Sequence, residues 1–201
     1  MATIGEHVAA TIDCFSRSEL DFAMLHACVA VDGTAKKVYP SVGSRKRFVQ
    51  FLRDYYWVIE PTAMPGFDLE LSRFGNIPLG KVLRPDWAEI VYEVHRCAHA
   101  HGDQVRPGFE LVPGVGLSVK SGKIGQGVFE MPNHVPFGLI FAAVLSSVNA
   151  DEKIADNYFL TIGHLDFSNF TQLPISDWWG GEDDFRPIAR RHNKVRVNFQ
   201  M

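Results

Sequence analysis

One stretch of the chain, residues 85–102, brings together side chains that could cleave a phosphodiester. Arg96 precedes His101 by five positions. A permanently charged guanidinium can hold a phosphate group, and an imidazole that titrates near neutral pH can move a proton. General acid–base cleavage of RNA needs these two actions, since the 2′-hydroxyl of RNA supplies the nucleophile. Arg96 and His101 are therefore the candidate catalytic residues.

A helix must position these two side chains. Pro85 and Asp86 are typical of a helix start, and Gly102 is typical of a helix end. Between them, apolar residues recur at three- and four-residue steps and predict one buried stripe. The stripe consists of Trp87, Ile90, Val91, Val94, Cys97 and Ala98. On a regular helix, side chains five positions apart point about 140° apart. The last turn must therefore loosen if Arg96 and His101 are to reach one point.

The histidines of this stretch allow other interpretations. His95 and His99 share a helix face and, together with His101 or Asp103, could hold a zinc ion. No second ligand pair follows at finger-like spacing, so no metal is expected and a solvated histidine face is preferred. His99 is then a supporting residue for the catalytic pair. Because an Arg-to-His spacing also arises by chance, a structural role for Arg96 stays open.

A carboxylate in an earlier helix is a second candidate for the site. The apolar pattern predicts a long helix at 16–39, ended by Pro40, and Asp32 lies within it. A carboxylate near a core face is costly unless it meets a cation or hydrogen-bond donors. We therefore expect Arg96 to be the partner of Asp32. A kink at Asp32 and Gly33 that resembles a helix cap is the alternative.

Basic residues at two further places are candidates for phosphate contacts. One set opens a helix predicted at 44–59, where the positive helix end disfavours cations. The other set lies in the C-terminal tail, the most basic segment of the chain. An anionic partner would explain both sets, whereas a solvated face is the simpler interpretation. These candidates are Arg45, Lys46, Arg47, Arg190 and Arg191.

Composition and net charge limit the classes of protein to which the chain could belong. The chain has 201 residues, of which 46% are hydrophobic and 21% are charged, as in ordinary globular proteins. Its formal net charge of −3 excludes a globally basic nucleic-acid binder, so any RNA contact must come from local patches. Three cysteines at no recognisable spacing predict reduced core residues. The chain carries no signal-peptide pattern, and its apolar runs fall far short of the ~20 residues of a membrane span. We expect a cytoplasmic protein.

The C-terminal half follows a different pattern. Residues 114–131 predict a β-hairpin around a turn at Ser121 and Gly122. Its glycines do not form a phosphate-binding loop, because Ile124 stands where a serine or threonine should bind magnesium. A tryptophan pair, Trp178 and Trp179, is expected in a loop that packs onto the core rather than stacking on a base. Further elements are expected as a helix at 137–153, an extended segment at 158–167 and a terminal strand at 195–199.

Two stretches, residues 25–35 and 91–102, resemble HEPN-like bacterial proteins. That superfamily shares a helical bundle with an Arg, four to six intervening residues, and then a His. Arg96 and His101 fit this spacing with four residues between them. The resemblance implies a mainly α fold, with a HEPN-like helical bundle in residues 1–106. The hairpin, helix and strand of residues 107–201 would add a small sheet to the same domain, giving an α+β protein.

The resemblance also implies an activity. In that superfamily the bundle commonly forms a homodimer, and Arg and His from both copies line a cleft at the interface. Active members cleave RNA without a metal ion or other cofactor, and some serve in defence with an antitoxin-like protein partner. Arg96 would then bind the scissile phosphate, and His101 would act on the 2′-hydroxyl or on the leaving oxygen.

This chain departs from the pattern of active members at one position. They often have a polar residue directly after the Arg, where this chain has Cys97. Many members are thought to bind without cleaving. A non-catalytic interaction module, or one that binds a nucleotide or RNA, is therefore the alternative function.

Overall fold

A computed structural model describes most of the chain. The fold is mainly α-helical with small β-sheets, as the sequence predicts. The described residues are 2–75, 77, 79–98, 105, 107–113, 118–120, 128–163, 170–189 and 198–199.

Five α-helices form most of the first hundred residues. They are α1 (Ile4–Ser16), α2 (Leu20–Val38), α3 (Ser44–Asp54), α4 (Tyr56–Ala63) and α5 (Trp87–Ile90). Helix α2 confirms most of the long helix predicted at 16–39, although it begins at Leu20 and Ser16 ends α1. It passes through Asp32 and Gly33 without interruption, so the predicted alternative of a cap-like kink there is wrong. The segment predicted as one helix at 44–59 is two helices, with Tyr55 between them.

The helix that carries Arg96 is not regular. Asp86 caps α5, because its Oδ1 accepts from the N–H of Glu89 at 3.0 Å while Glu89 Oε2 accepts from the N–H of Asp86 at 3.0 Å. From Val91 to Arg96 the backbone is a π-helix, which we call the π segment. Here each N–H reaches one residue further back than in an α-helix. Side chains after residue 90 therefore point in other directions around the helix axis than a regular α-helix predicts.

A buried apolar helix comes from the C-terminal half. Helix α6 spans Val135–Leu145, so it begins and ends earlier than the predicted 137–153, and a 3₁₀ turn follows at Ser147–Asn149. It packs against α2 and α4. A Cβ atom at Gly138 would lie 2.5 Å from the Cβ of Ala63. Glycine at this position therefore permits the close approach of α6 to α4.

The described strands form three small sheets. β1 (Arg73–Phe74) pairs in parallel with β7 (Asn198–Phe199). β4 (Val128–Pro132) lies between β2 (Leu111–Val112), to which it is parallel, and β3 (Ser118–Lys120), to which it is antiparallel. β5 (Phe159–Gly163) pairs antiparallel with β6 (Phe170–Pro174).

The antiparallel pairing of the predicted hairpin is confirmed, but its turn is not the predicted one. Lys120 pairs with Val128, whereas a two-residue turn at Ser121 and Gly122 would pair it with Lys123. Residues 121–127 lie outside the described residues. The terminal strand is confirmed at Asn198–Phe199, as β7.

The segment predicted as a loop around Trp178 is partly helical. Helix α7 spans Glu182–Ala189, and sequence reasoning missed it. The indole of Trp178 packs against Phe141 and Phe185, with ring centroids 6.2 and 6.0 Å away, which confirms the predicted packing onto the core. Among the described residues, no helix combines the length and the apolar character that crossing a membrane requires.

Candidate functional site: an arginine cluster

Three helical elements meet around the carboxylate of Asp32. Arg96, at the end of the π segment, donates from Nη2 to Asp32 Oδ2 at 2.9 Å. Arg47, in the first turn of α3, donates from Nη2 and Nε to Asp32 Oδ1 at 3.1 and 3.3 Å. The predicted contact between Asp32 and Arg96 is thus confirmed, and a second arginine shares the same carboxylate.

These three side chains are largely but not fully buried. The exposed fractions are 21% for Asp32, 22% for Arg96 and 18% for Arg47. Burial opposes the charge on Arg96, but the hydrogen bond and charge of Asp32 outweigh it and raise the pKa of Arg96. The guanidinium is therefore held in place by a carboxylate and remains charged, in a side chain that is partly exposed to solvent.

A tyrosine and a serine complete the surroundings of Arg96. Its Nη2 also lies 3.4 Å from Ser44 Oγ, and its Cζ lies 5.4 Å from the ring centre of Tyr92. Arg45 approaches the same ring at 5.9 Å and donates from Nε to Glu93 Oε1 at 2.6 Å. A cation near an aromatic ring is attracted by the negative face of the ring. Tyr92 therefore helps to hold two guanidinium groups near each other.

We call Asp32, Arg45, Arg47, Glu93 and Arg96 the arginine cluster. Three guanidinium groups face two carboxylates in it, and Lys46 adds an exposed ammonium beside it on α3. The described part of this region is thus locally positive, although the whole chain carries a net charge of −3. A local excess of positive charge attracts anionic ligands.

The predicted site residues divide into two groups. Asp32, Arg96 and the basic residues of α3 lie together in the arginine cluster or beside it. Arg45 keeps 46% of its side chain exposed, whereas Arg47 is largely buried, so the prediction of a solvated face is wrong for Arg47. The remaining candidates, which lie outside the described residues, are His99, His101, Arg190 and Arg191.

His95 does not lie on a solvated face. Its exposed fraction is 1%, so the sequence-based prediction is wrong. The wider turn of the π segment rotates the positions after Val91 relative to a regular helix, and this brings position 95 to the core side. Across the described part of the chain, no group of three or more His, Cys, Asp or Glu side chains could hold a metal ion.

Cys97, next to Arg96, is a poor nucleophile in this environment. Burial and the neighbouring charge of Glu93 raise the pKa of its thiol, and the charge of Arg96 only partly offsets them. A thiol reacts as the thiolate, so Cys97 stays in its less reactive form near neutral pH. All three cysteines of the chain are free thiols.

Sequence reasoning missed three residues of this region: Ser44, Tyr92 and Glu93. A signal was present for two of them, because Tyr92 and Glu93 precede Arg96 by four and three positions. Side chains at these spacings share one face of a helix. Ser44 offered no comparable signal, since its contact with Arg96 depends on how α3 packs against the π segment.

A family model named Rv1289 matches residues 3–201 of the chain. The chain belongs to the Rv1289 family. It is similar to the uncharacterised protein Rv1289 of Mycobacterium tuberculosis strain H37Rv and to the uncharacterised protein Mb1320 of Mycobacterium bovis. Each is 37% identical over 203 residues, which cover 98% of this chain and 93% of the relative. No solved structure matches.

Proposed function

We propose that the chain is a HEPN-type ribonuclease that cleaves RNA without a metal ion, in a cleft between two copies of the chain. Arg96 binds the scissile phosphate, and His101 transfers the proton. The observation that supports this proposal most is the position of Arg96. Asp32 holds its guanidinium beside Arg47, in a locally positive region that solvent still reaches.

The contacts of Arg96 leave other N–H donors of its guanidinium for a phosphate. Its bonds to Asp32 and Ser44 both use Nη2. A guanidinium has N–H donors on three nitrogens in a fixed planar fork. A phosphate can therefore bind through another edge of the group while Asp32 maintains its orientation. A cation fixed before the reaction stabilises charge that develops on the phosphate at no reorganisation cost.

The chemical step uses the substrate's own nucleophile. The 2′-hydroxyl oxygen attacks phosphorus and loses its proton, while the bond from phosphorus to the 5′-oxygen breaks and that oxygen gains a proton. The products are a 2′,3′-cyclic phosphate and a 5′-hydroxyl end. His101 either accepts the first proton or donates the second.

RNA cleavage in EDTA tests the proposal. Purified parent chain, Arg96→Ala and His101→Ala are each incubated with mixed RNA, and end groups are identified. Loss of one proton-transfer group typically costs about 10²- to 10⁴-fold in rate, and loss of one group that stabilises charge in the transition state costs about 10²- to 10³-fold. We therefore expect losses of at least about a hundredfold in both variants. Arg17→Ala is the matched control, because Arg17 is an exposed arginine that pairs with Glu19 far from Arg96 in the chain. An inactive parent, or equal cleavage by all four proteins, rules the ribonuclease out.

A non-catalytic RNA-binding module is the second candidate. The contact of Asp32 with Arg96 favours it, because a carboxylate already neutralises part of the charge that cleavage needs. Fluorescence anisotropy with single-stranded RNA at several salt concentrations separates the two candidates. Removing one phosphate contact with Arg47→Ala should lower the slope of log affinity against log salt by about 0.7. Binding without cleavage supports the module, and absence of both rejects the two candidates together.

The homodimer is a separate part of the proposal. The HEPN-type cleft requires two copies of the chain, so we expect light scattering to give twice the mass of one chain at micromolar concentration. A single-chain mass in the presence of RNA would remove the interface cleft from the proposal.

A further inference from the structure

Two histidines that the proposed reaction does not use meet between α1 and α2. Nδ1 of His7 lies 3.1 Å from Nδ1 of His26. The ring centroids are 5.3 Å apart, and the ring planes are inclined by 35°. Both side chains are half-buried, and they project from helices that pack along each other. The packing of α1 against α2 therefore keeps the two rings close together.

Both imidazoles are in the form that binds metal ions. Burial lowers the pKa of His7, and the neighbouring His26 lowers it further, against a smaller opposite effect of Glu6. Burial also lowers the pKa of His26. Neutral imidazole is the most common metal ligand in proteins. A hydrogen bond between the two Nδ1 atoms uses one proton, which moves to Nε2 of the same ring when both Nδ1 lone pairs bind a metal.

The distance between the nitrogens suits a shared ion. Metal–nitrogen bonds to histidine are about 2.0–2.1 Å long, so two nitrogens 3.1 Å apart form an angle of about 100° at a common ion. This angle lies between those of tetragonal and tetrahedral coordination, the geometries that copper, nickel and zinc adopt with imidazole ligands.

We propose that His7 and His26 form a two-imidazole binding site for a divalent transition-metal ion such as Zn²⁺. No third His, Cys, Asp or Glu joins the pair among the described residues, so water completes the coordination. The ion links α1 to α2, the helix that carries Asp32. This site is separate from the arginine cluster and does not depend on the proposed ribonuclease activity.

Calorimetric titration with Zn²⁺ tests the site, alongside thermal unfolding with and without the ion. We expect the parent chain to bind one Zn²⁺ at this site and to unfold at a higher temperature when it is bound. Loss of a single outer-sphere partner of a metal costs about 10- to 100-fold in affinity. His7→Gln and His26→Gln each remove a direct ligand, so each should weaken binding by roughly a hundredfold or more and abolish the thermal shift.

Two control proteins separate this site from other histidines. His134→Gln removes a half-buried histidine at the start of α6, and the double variant His99→Gln/His101→Gln removes the other candidate zinc ligands. Both should bind Zn²⁺ as the parent does. Far-UV circular dichroism without metal verifies that each variant is folded, and the two single variants of the pair provide independent tests. Unchanged affinity in either of them, or loss only in the double variant, would overturn the proposal.

Discussion

At the scale of single residues, Asp32 organises the candidate site. Its two carboxylate oxygens each meet a different guanidinium, one from α3 and one from the π segment. Ion pairs at this degree of burial are weakened less by solvent than exposed pairs. Because removal of the shared carboxylate leaves two cations facing each other, Asp32 should contribute more to stability than either arginine alone.

Asp32→Ala should lower the free energy of unfolding. We expect a loss of about 1–3 kcal/mol, between the values for exposed and fully buried ion pairs, measured by urea denaturation. The matched control is Glu19→Ala, which removes a carboxylate paired with Arg17 at the surface. That control should be indistinguishable from the parent. Equal changes in the free energy of unfolding of the two variants would show that Asp32 stabilises the fold no more than a surface ion pair does.

Sequence reasoning succeeded with Asp32 because the cost of burying a charge requires a partner wherever the chain folds. That cost led to the prediction that Arg96, a cation on another predicted helix, is the partner of Asp32. It did not identify Arg47, because the orientation of a long side chain in the first turn of α3 depends on packing. His95 was placed wrongly, since the prediction assumed a regular helical period.

At the scale of elements, one capping box begins a helix at the surface and another begins a helix in the interior. Thr3 and Glu6 cap α1 at the surface, where Thr3 Oγ1 accepts from the N–H of Glu6 at 3.1 Å. Asp86 and Glu89 cap α5 in the interior, where Asp86 is 2% exposed and also accepts from Arg53 Nε at 2.7 Å. The same local motif therefore has different energetic weight in the two helices.

Removing each cap tests this difference. Thr3→Ala should cost about 1 kcal/mol of unfolding free energy, the usual value for a cap. Asp86→Ala should cost about 2–4 kcal/mol, because it also leaves Arg53 without a buried carboxylate. Chemical denaturation of both variants gives the comparison. A smaller loss for Asp86→Ala than for Thr3→Ala would contradict it.

The close approach of α6 to α4 gives a second prediction for elements. Gly138→Ala places a Cβ against Ala63, so we expect overpacking to cost about 1–3 kcal/mol. Adding Ala63→Gly removes the nearest atom and should restore part of the loss. A lower melting temperature for the single variant and partial recovery for the double variant are the expected results. Without recovery, the cost must arise elsewhere than at this contact.

The sequence contained signals for helix starts in addition to the spacing of its apolar residues. Thr3 followed by Glu6 three positions later is the signature of a capping box, and it could have predicted the missed helix α1. The missed α7 begins with three acidic residues at Glu182, which also indicates a helix start. The π segment had no such signal. Its bonding pattern depends on how its side chains pack against α2 and α3.

At the scale of the whole molecule, α6 connects the two halves of the sequence. Its residues come from the C-terminal half, yet it packs against α2 and α4 of the N-terminal half. Binary patterning predicted that this segment would be a buried helix, but patterning cannot state which helices cover it. The small sheets were predicted less well, because β1 and β7 pair across more than a hundred residues of chain.

Stability of the whole chain should decrease in mild acid. Burial lowers the pKa of His7, His26 and His134 below the ordinary value of 6.5. As the pH falls through 6.5, the unfolded chain binds protons before the folded chain does, so the free energy of unfolding falls until the folded pKa values are passed. Urea midpoints between about pH 7.5 and 5 measure this trend.

The double variant His7→Gln/His26→Gln should show a weaker pH dependence than the parent over the same interval. The difference between the two proteins isolates the histidine pair from the carboxylates, which titrate in both. Parallel curves would mean that the pair does not contribute to acid sensitivity.

The π segment also bears on how such a site could arise or be lost. In a π-helix each N–H bonds to the carbonyl five residues earlier, so one turn holds one residue more than an α-helical turn. The segment thus resembles a regular helix into which one residue has been inserted. Deleting one codon within residues 91–95 would let the regular pattern return while the residues after it keep their position around the axis, whereas the same deletion in a regular helix would turn everything after it by about 100°. Arg96 would then still face Asp32, so this one turn could have gained a residue, or could lose one, without separating the two side chains.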